Sequence, residues 1–361
     1  MAGYHAPATP GVAPARTVAP GGTVPGGVIV VVTELVDEHA DRVIRRLLEL
    51  GHEPVRVNSG DVPWDARLSV ELRGDHWTGG YAIASSGRRV DVENVRSVWW
   101  RRPGPPGLPP DLTPWEREFA EAELRHATQG VWSAVDCHWV SRPELIERAS
   151  YKVEQLSRAA RLGFRVPRTI VTADPGHAAA FLDACPAGAV YKVLTDPFLG
   201  AGRLVRRDPD ADLVPRFVHT TLVDGSVRDG LASVATVPCL FQELVPKRVD
   251  VRVTVIDGEL FAAEAAPPDD AVLDWRAQGP HVAWVPSRLP GDVAEQCHAL
   301  VASYGLAFGA IDLIGTPDGG TVFLEINPNG QFLFVQERIP DFRMDDAMAG
   351  SLIRGGAAGA A

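Results

Sequence analysis

Lysine is almost absent from this sequence. Of 35 basic residues only Lys152, Lys192 and Lys247 are lysine, and the rest are arginine. A codon bias explains the arginines but not the surviving lysines, so all three are candidates for positions that need an ammonium. Cysteine is scarce as well. Cys137, Cys185, Cys239 and Cys297 lie far apart, with no C-x-x-C pair. That argues against a zinc site or a disulfide framework and fits the reduced thiols of a cytoplasmic protein. Long apolar runs are missing too. Val28 to Val32 is far short of a membrane span or a signal-peptide core, so no membrane partner is expected. Positive charge is in deficit: the net charge is -11. A duplex nucleic-acid partner needs a Lys/Arg footprint and is therefore disfavoured. A small or peptidic substrate in a locally basic cleft is not. No G-x-G-x-x-G follows the first strand, which weakens a dinucleotide-binding reading.

What is present is an ordinary globular balance, 45% apolar and 22% charged over 361 residues. That is too much chain for one small core, and two or three lobes are expected. Residues 1–27, rich in Ala, Pro, Gly and Thr without periodicity, read as a disordered tail. Val28 to Val32 reads as a strand buried on both faces, Glu38 to Leu50 as a helix stopped at Gly51, and Pro54 to Val57 as the next strand. Strand, helix, strand implies a right-handed βαβ unit. Val95 to Arg102 precedes a Pro/Gly break and a helix near Trp115 to Gln129. Ser150 is a candidate cap for a helix over Tyr151 to Leu162. Strand patterns follow at Val166–Val171, Ala189–Leu194, Cys239–Val245, Val249–Ile256, Leu260–Ala265, Phe308–Ile314 and Thr321–Ile326. Helical patterns fall at His177–Ala184 and Asp292–Tyr304. The fold class is an α/β N-terminal lobe (28–140) followed by two α+β lobes (141–240 and 241–361).

Chemistry concentrates in three places. Near the C-terminus, Asp318-Gly319 suits a two-residue type I′ hairpin turn. Such a turn sets Asp312 directly opposite Glu325, with Asn327 on the same face and Ile311, Leu313, Leu324 and Ile326 facing the other way. Two opposed carboxylates repel unless a cation lies between them. An oxygen-only set of low ligand number suits Mg²⁺ completed by phosphates; a solvated surface hairpin is the alternative. Lys192, inside the apolar strand Ala189–Leu194, needs an anionic partner or an edge position facing water. Asp250, Arg252 and Thr254 alternate with valines, giving one polar face able to hold ribose hydroxyls and phosphate oxygens, or a surface Asp/Arg ladder. Thr195 to Arg203 contains glycines and could fold over phosphates.

In this order and spacing the segments resemble the ATP-grasp superfamily, with the match running from about Pro143 to Gly330. The chain is most similar to the ribosomal-peptide maturases that make microviridin-type graspetides, in particular their actinobacterial branch. Val98-Trp-Trp-Arg-Arg-Pro103, Lys152-Val-Glu-Gln-Leu156, Gly163-Phe-Arg-Val-Pro167, Asp274-Trp275-Arg276 and Asn327-Pro-Asn-Gly-Gln331 carry that likeness. Asp208 to Ser233 is the stretch hardest to align. The resemblance implies an ATP-grasp fold with ATP and Mg²⁺ as cofactors. Lys152 and Lys192 match phosphate-binding lysines. Gln242, Glu243 and Val245 match the adenine hinge, and Asp250 the ribose acid. Arg252 matches the residue that steadies the transferred phosphoryl group. Asp312, Glu325 and Asn327 match metal ligands, and Arg276 is a candidate for gripping the substrate carboxylate. The implied reaction phosphorylates Asp or Glu side chains of a ribosomal precursor peptide with a leader and an acidic, hydroxyl-bearing core. Macrocyclic esters or amides then form through the acyl phosphate. Homodimerisation is implied by the family alone. The alternatives are an ATP-grasp ligase of free amino acids or short peptides, and a non-catalytic nucleotide-binding protein.

Overall fold

A computed structural model describes residues 27–195, 198–199, 216–218, 220–267, 273, 275 and 282–355. Residues 1–26 and most of Thr195 to Arg203 lie outside the described residues, as do residues 208–215.

The chain opens with the expected βαβ unit. Strand Val28–Thr33 runs parallel to Val55–Asn58 on one side and Val95–Trp100 on the other, and His138–Val140 completes the sheet. The apolar run at the start is buried on both faces. Ile29 and Val31 enter one core while Val30 and Val32 enter another, as a period of two dictates. The helix Glu38–Glu49 is started by Asp37, whose carboxylate accepts from the amides of His39 and Ala40. The helix Pro114–Ala134 begins with a capping box between Thr113 and Glu116. A three-stranded antiparallel sheet, Ala66–Arg73, His76–Ile83 and Arg88–Asp91, was not among the expected elements. Its outer strand alternates Ala66, Leu68, Val70 and Leu72 with polar residues, and only Ala66 of that strand is fully buried.

A four-stranded antiparallel sheet follows, in spatial order Thr221–Leu222, Ala189–Lys192, Cys239–Glu243 and Thr169–Thr172. Ala189–Lys192 is internal to it, which removes the edge-strand reading of Lys192. One expectation fails locally. Ser150 does not start the next helix; it is the C-cap of helix Pro143–Ala149, where its hydroxyl donates to the Ile146 carbonyl. The next helix, Lys152–Arg161, has Tyr151 at its N-cap with no side-chain cap bond.

The last sheet has five antiparallel strands, ordered Val285–Pro286, Glu259–Ala265, Val249–Ile256, Phe308–Gly315 and Thr321–Asn327. On one face Val249, Val251, Val253 and Val255 join a core closed by helices Gly291–Ser303 and Lys152–Arg161. Asp250, Arg252 and Thr254 point the other way yet are also buried, so they form no surface ladder. The first lobe and this sheet share one core. Ile29, Val31 and Trp99 pack with Ile256, Ala310, Phe332 and Met348. Two C-terminal helices, Leu333–Arg338 and Met344–Arg354, help close it. Among the described residues no helix is long and apolar enough to cross a membrane.

Candidate active site

The three polar clusters seen in the sequence converge on one cleft of about 1220 Å³ between the two antiparallel sheets. Lys152, Lys192, Gln242, Glu243, Val245, Asp250, Arg252, Asp312, Glu325 and Asn327 all line it. Arg276 lies outside the described residues. Its neighbour Trp275 also lines the cleft, stacked on Phe334 with ring centroids 4.8 Å apart and edge-on to Trp284.

Asp312 does lie opposite Glu325, but not by the expected turn. Near the turn Gly315 pairs with Thr321 and Leu313 with Phe323. The Thr316 amide donates to the Gly320 carbonyl at 2.9 Å, and Gly319 takes φ of +84°. The loop is therefore Pro317-Asp318-Gly319, one residue longer than a type I′ turn. That loop shifts the register by one, and a bulge between Asp312 and Leu313 on one side and Phe323 and Glu325 on the other shifts it back. One expectation changes as a result. Ile311, Leu313 and Ile326 enter the core as anticipated, but Phe323 takes the place foreseen for Leu324. At the other foreseen hairpin, Asp257 and Gly258 both have positive φ and Ile256 pairs with Glu259, a two-residue turn.

Around the two carboxylates the protein supplies compensating donors. Arg252 Nη1 donates to Asp312 Oδ1 at 2.8 Å. Lys152 Nζ lies 3.1 Å from Glu325 Oε2. The Asn327 amide nitrogen is 3.3 Å from both Asp312 Oδ2 and Glu325 Oε1. Rotating that amide by a half-turn places its oxygen, an acceptor suited to a cation, beside the two carboxylates. The set then offers two carboxylates and a carbonyl-type oxygen, few enough for Mg²⁺ to keep phosphate and water ligands. Among the described residues no group of three or more His, Cys, Asp or Glu could hold a metal without such help. These residues fit a nucleotide-bound magnesium and would not make a closed structural site.

Several positioning groups escaped the sequence. Gln155 is buried and bridges the backbone between two of the proposed ligands: its Nε2 donates to the Ile326 carbonyl at 2.9 Å and its Oε1 accepts from the Ile326 amide at 3.1 Å. It stands three residues after Lys152, on the same helix face; the K-x-x-Q spacing was its only signal. Lys247 donates to Asp250 Oδ2 at 2.9 Å and to the Leu273 carbonyl at 3.1 Å. All three lysines of the chain thus stand in this cleft. At the hinge, Gln242 donates to Thr169 Oγ1 at 3.0 Å, and the Glu243 carboxylate accepts from the Arg168 amide at 3.0 Å. The backbone amides of Glu243 and Leu244 are taken by the carbonyls of Arg168 and Gly188.

Two antiparallel sheets closing on a cleft lined by these lysines and acids have the form of the ATP-grasp fold. Residues 28–147 match the family model for the MvdD pre-ATP grasp domain. A Chryseobacterium gregarium RiPP-associated ATP-grasp ligase, solved with ADP and a leader and core peptide, is 26% identical with a TM-score of 0.79. The alignment covers 90% of this chain and 96% of that one. Macrocyclase MdnB from Microcystis aeruginosa is 27% identical with a TM-score of 0.72, covering 90% and 99%. The ATP-grasp ligase PsnB, complexed with a phosphomimetic variant of its minimal precursor, Mg and ADP, shares the fold at 21% identity and a TM-score of 0.67, covering 91% and 98%. No curated protein sequence matches the chain. The chain is an ATP-grasp ligase whose N-terminal lobe is an MvdD-type pre-ATP-grasp domain, and it is similar over nine-tenths of its length to RiPP macrocyclases.

Proposed function

We propose that this ligase cross-links a ribosomal precursor peptide, activating Asp or Glu side chains with ATP and closing them onto Ser/Thr hydroxyls or Lys amines of the same peptide. The observation that carries the reading is the opposition of Asp312 and Glu325, with Arg252 on one and Lys152 on the other, at the floor of a cleft wide enough for a nucleotide and a peptide segment.

In this reading Lys152 and Lys192 hold phosphate oxygens as compact point charges, a role a guanidinium reproduces poorly. The Glu243 carbonyl and the Val245 backbone face the adenine edge, Gln242 braces the hinge through Thr169, and Asp250 takes the ribose. Asp312, Glu325 and Asn327 hold the divalent ion, which when bound neutralises charge on the nucleotide phosphates. Arg252 keeps a buried Nε with no hydrogen-bond partner, an unsatisfied donor in a site built for anions. It steadies the γ-phosphoryl as it passes to a substrate carboxylate oxygen. ADP departs, and the acyl phosphate is shielded from water between the sheets. A hydroxyl or amine then attacks the acyl carbon, releasing phosphate and leaving an ester or amide. Arg276 is assigned to the grip on the substrate carboxylate. The enzyme is placed in the cytoplasm, where ATP and reduced thiols coexist, and homodimerisation belongs to the same proposal.

The test is turnover with ATP, Mg²⁺ and a leader-bearing peptide rich in Thr, Ser, Asp and Glu. Mass spectrometry should show the loss of one water per ring, with ADP released in step. ADP release with free amino acids alone, and none added by the peptide, would point instead to a ligase of small substrates.

A further inference from the structure

The first lobe reaches into the site by a route that the ligand assignments do not use. Arg101 follows strand Val95–Trp100 and is only 2% exposed. Its Nη1 donates to the carbonyl oxygens of Asn329 and, at 3.4 Å, Gly330. Its Nε lies 3.4 Å from Asp37 Oδ2, and Asp37 is itself fixed by the Thr33 hydroxyl at 2.6 Å and by two amides at its helix start. From that helix His39 Nε2 accepts the backbone amides of Phe332 and Leu333, at 3.0 and 3.2 Å. The next carbonyl, that of Gln331, accepts from Arg252 Nη2 at 2.8 Å. Consecutive backbone groups from Asn329 to Leu333 are therefore gripped from both sides. Arg101 and His39 hold them from the first lobe, and Arg252, which also holds Asp312, from the other.

Cohesion between lobes does not need this. The shared core of Trp99, Phe332 and Met348 already joins them, and an apolar pair would join them with less desolvation than a buried guanidinium. The hydrogen bonds that Arg101 and His39 make across the lobes fall on the five residues that follow Asn327-Pro328. We infer that Arg101 and His39 are positioning residues of the phosphoryl-transfer site: they set the backbone of the loop behind Asn327, so the pre-ATP-grasp lobe is a working part of the metal site. This rests on the reading of Asp312, Glu325 and Asn327 as metal ligands. Outer groups of this kind orient ligands without touching the ion.

The test is calorimetric binding of ADP to the full chain, with Mg²⁺ and with a chelator. Arg101→Met should leave metal-free ADP affinity unchanged and lose about 10-fold or more of the gain that Mg²⁺ confers, the usual cost of removing an outer-shell partner. Asn327→Ala should lose the same gain, and the double variant should be no worse than Asn327→Ala alone, because both act through one element. If Asn327→Ala keeps the Mg²⁺ gain, the metal assignment itself fails. If it loses the gain while Arg101→Met keeps it, or the two losses simply add, Arg101 only joins the lobes and the inference falls. Should Arg101→Met not fold, His39 gives the same answer. His39→Gln retains an acceptor and should keep the gain, while His39→Leu should lose it. Retention by both would overturn the proposal.

Discussion

Lys152 Nζ and Glu325 Oε2 are 3.1 Å apart, joining the first turn of a helix to the last strand of the five-stranded sheet. Both side chains are about four-fifths buried, so each charge depends on its neighbours more than on water. Glu325→Gln keeps the size and removes the charge. ADP formation in the presence of Mg²⁺ should fall by about 100-fold or more, the range seen when one electrostatic element of a transition state is deleted. The circular dichroism spectrum should match wild type. Turnover at the wild-type rate would mean that the metal site lies elsewhere.

Lys152→Arg tests why lysine survives here in a chain that otherwise uses arginine. Charge is preserved, but the planar fork is larger and spreads its charge over three nitrogens. kcat/KM for ATP should fall roughly 10-fold or more, whereas an exchange that mattered only for charge would leave it unchanged. Steady-state ADP release against ATP concentration reads the difference. The reverse exchange at an exposed arginine, Arg73→Lys, is the control.

How far the site was legible follows from what each contact depends on. Asp312 facing Glu325 could be foreseen because strand pairing is local, although a longer loop and a compensating bulge produced it rather than the turn assumed. The same bulge misplaced Leu324, since a pattern of period two cannot register an extra residue. The motifs are short and ordered: Lys152 sits on the helix expected for it, and Lys192, Gln242, Glu243, Asp250, Arg252, Asp312 and Glu325 on the expected strands. Arg101 and His39 could not be read, because their partners after Asn327 lie more than two hundred residues away and a polar residue beside an apolar strand has no pattern that announces its contact. Gln155 was hidden likewise, with its partner Ile326 171 residues along the chain. The Ala66–Asp91 sheet went unforeseen although its outer strand carries a period of two, with Ala66, Leu68, Val70 and Leu72 alternating with polar residues.

Gly330 lies where Arg252 meets the loop after Asn327. A Cβ there would sit 2.5 Å from the Ala310 Cβ and 2.7 Å from Arg252 Nη2. The first contact is with a side chain that has no freedom to move, and the second displaces the guanidinium that holds Asp312. Gly330→Ala should destabilise the protein by about 1–3 kcal/mol, as overpacking does. It should also depress ADP formation beyond what the lost stability explains. Urea unfolding monitored by tryptophan fluorescence gives the first quantity, and turnover well below the unfolding midpoint gives the second. A variant as stable and as active as wild type would show that the loop has slack.

His39 makes a prediction about pH. It is buried, and its Nε2 can accept two amides only while the ring is neutral. Burial, and next the guanidinium of Arg101, push its pKa from 6.5 down to about 3. Between those values the unfolded chain binds a proton that the folded chain refuses. Its contribution is therefore whole above pH 6.5 and is lost as pH falls through that window, at up to about 1.4 kcal/mol per pH unit. His138 is also lowered by burial and adds a slope of the same sign, but in the variant and the wild type alike. Asp37, whose carboxyl lies below 3.8, keeps its contribution through this range and loses it only in stronger acid. His39→Gln keeps an acceptor and cannot titrate. Its unfolding free energy, measured from about pH 7.5 to pH 5, should decline less steeply than that of wild type by roughly the slope of one proton. Parallel curves for the two proteins would mean that His39 takes up its proton in the folded state and that its bonds to Phe332 and Leu333 are not held.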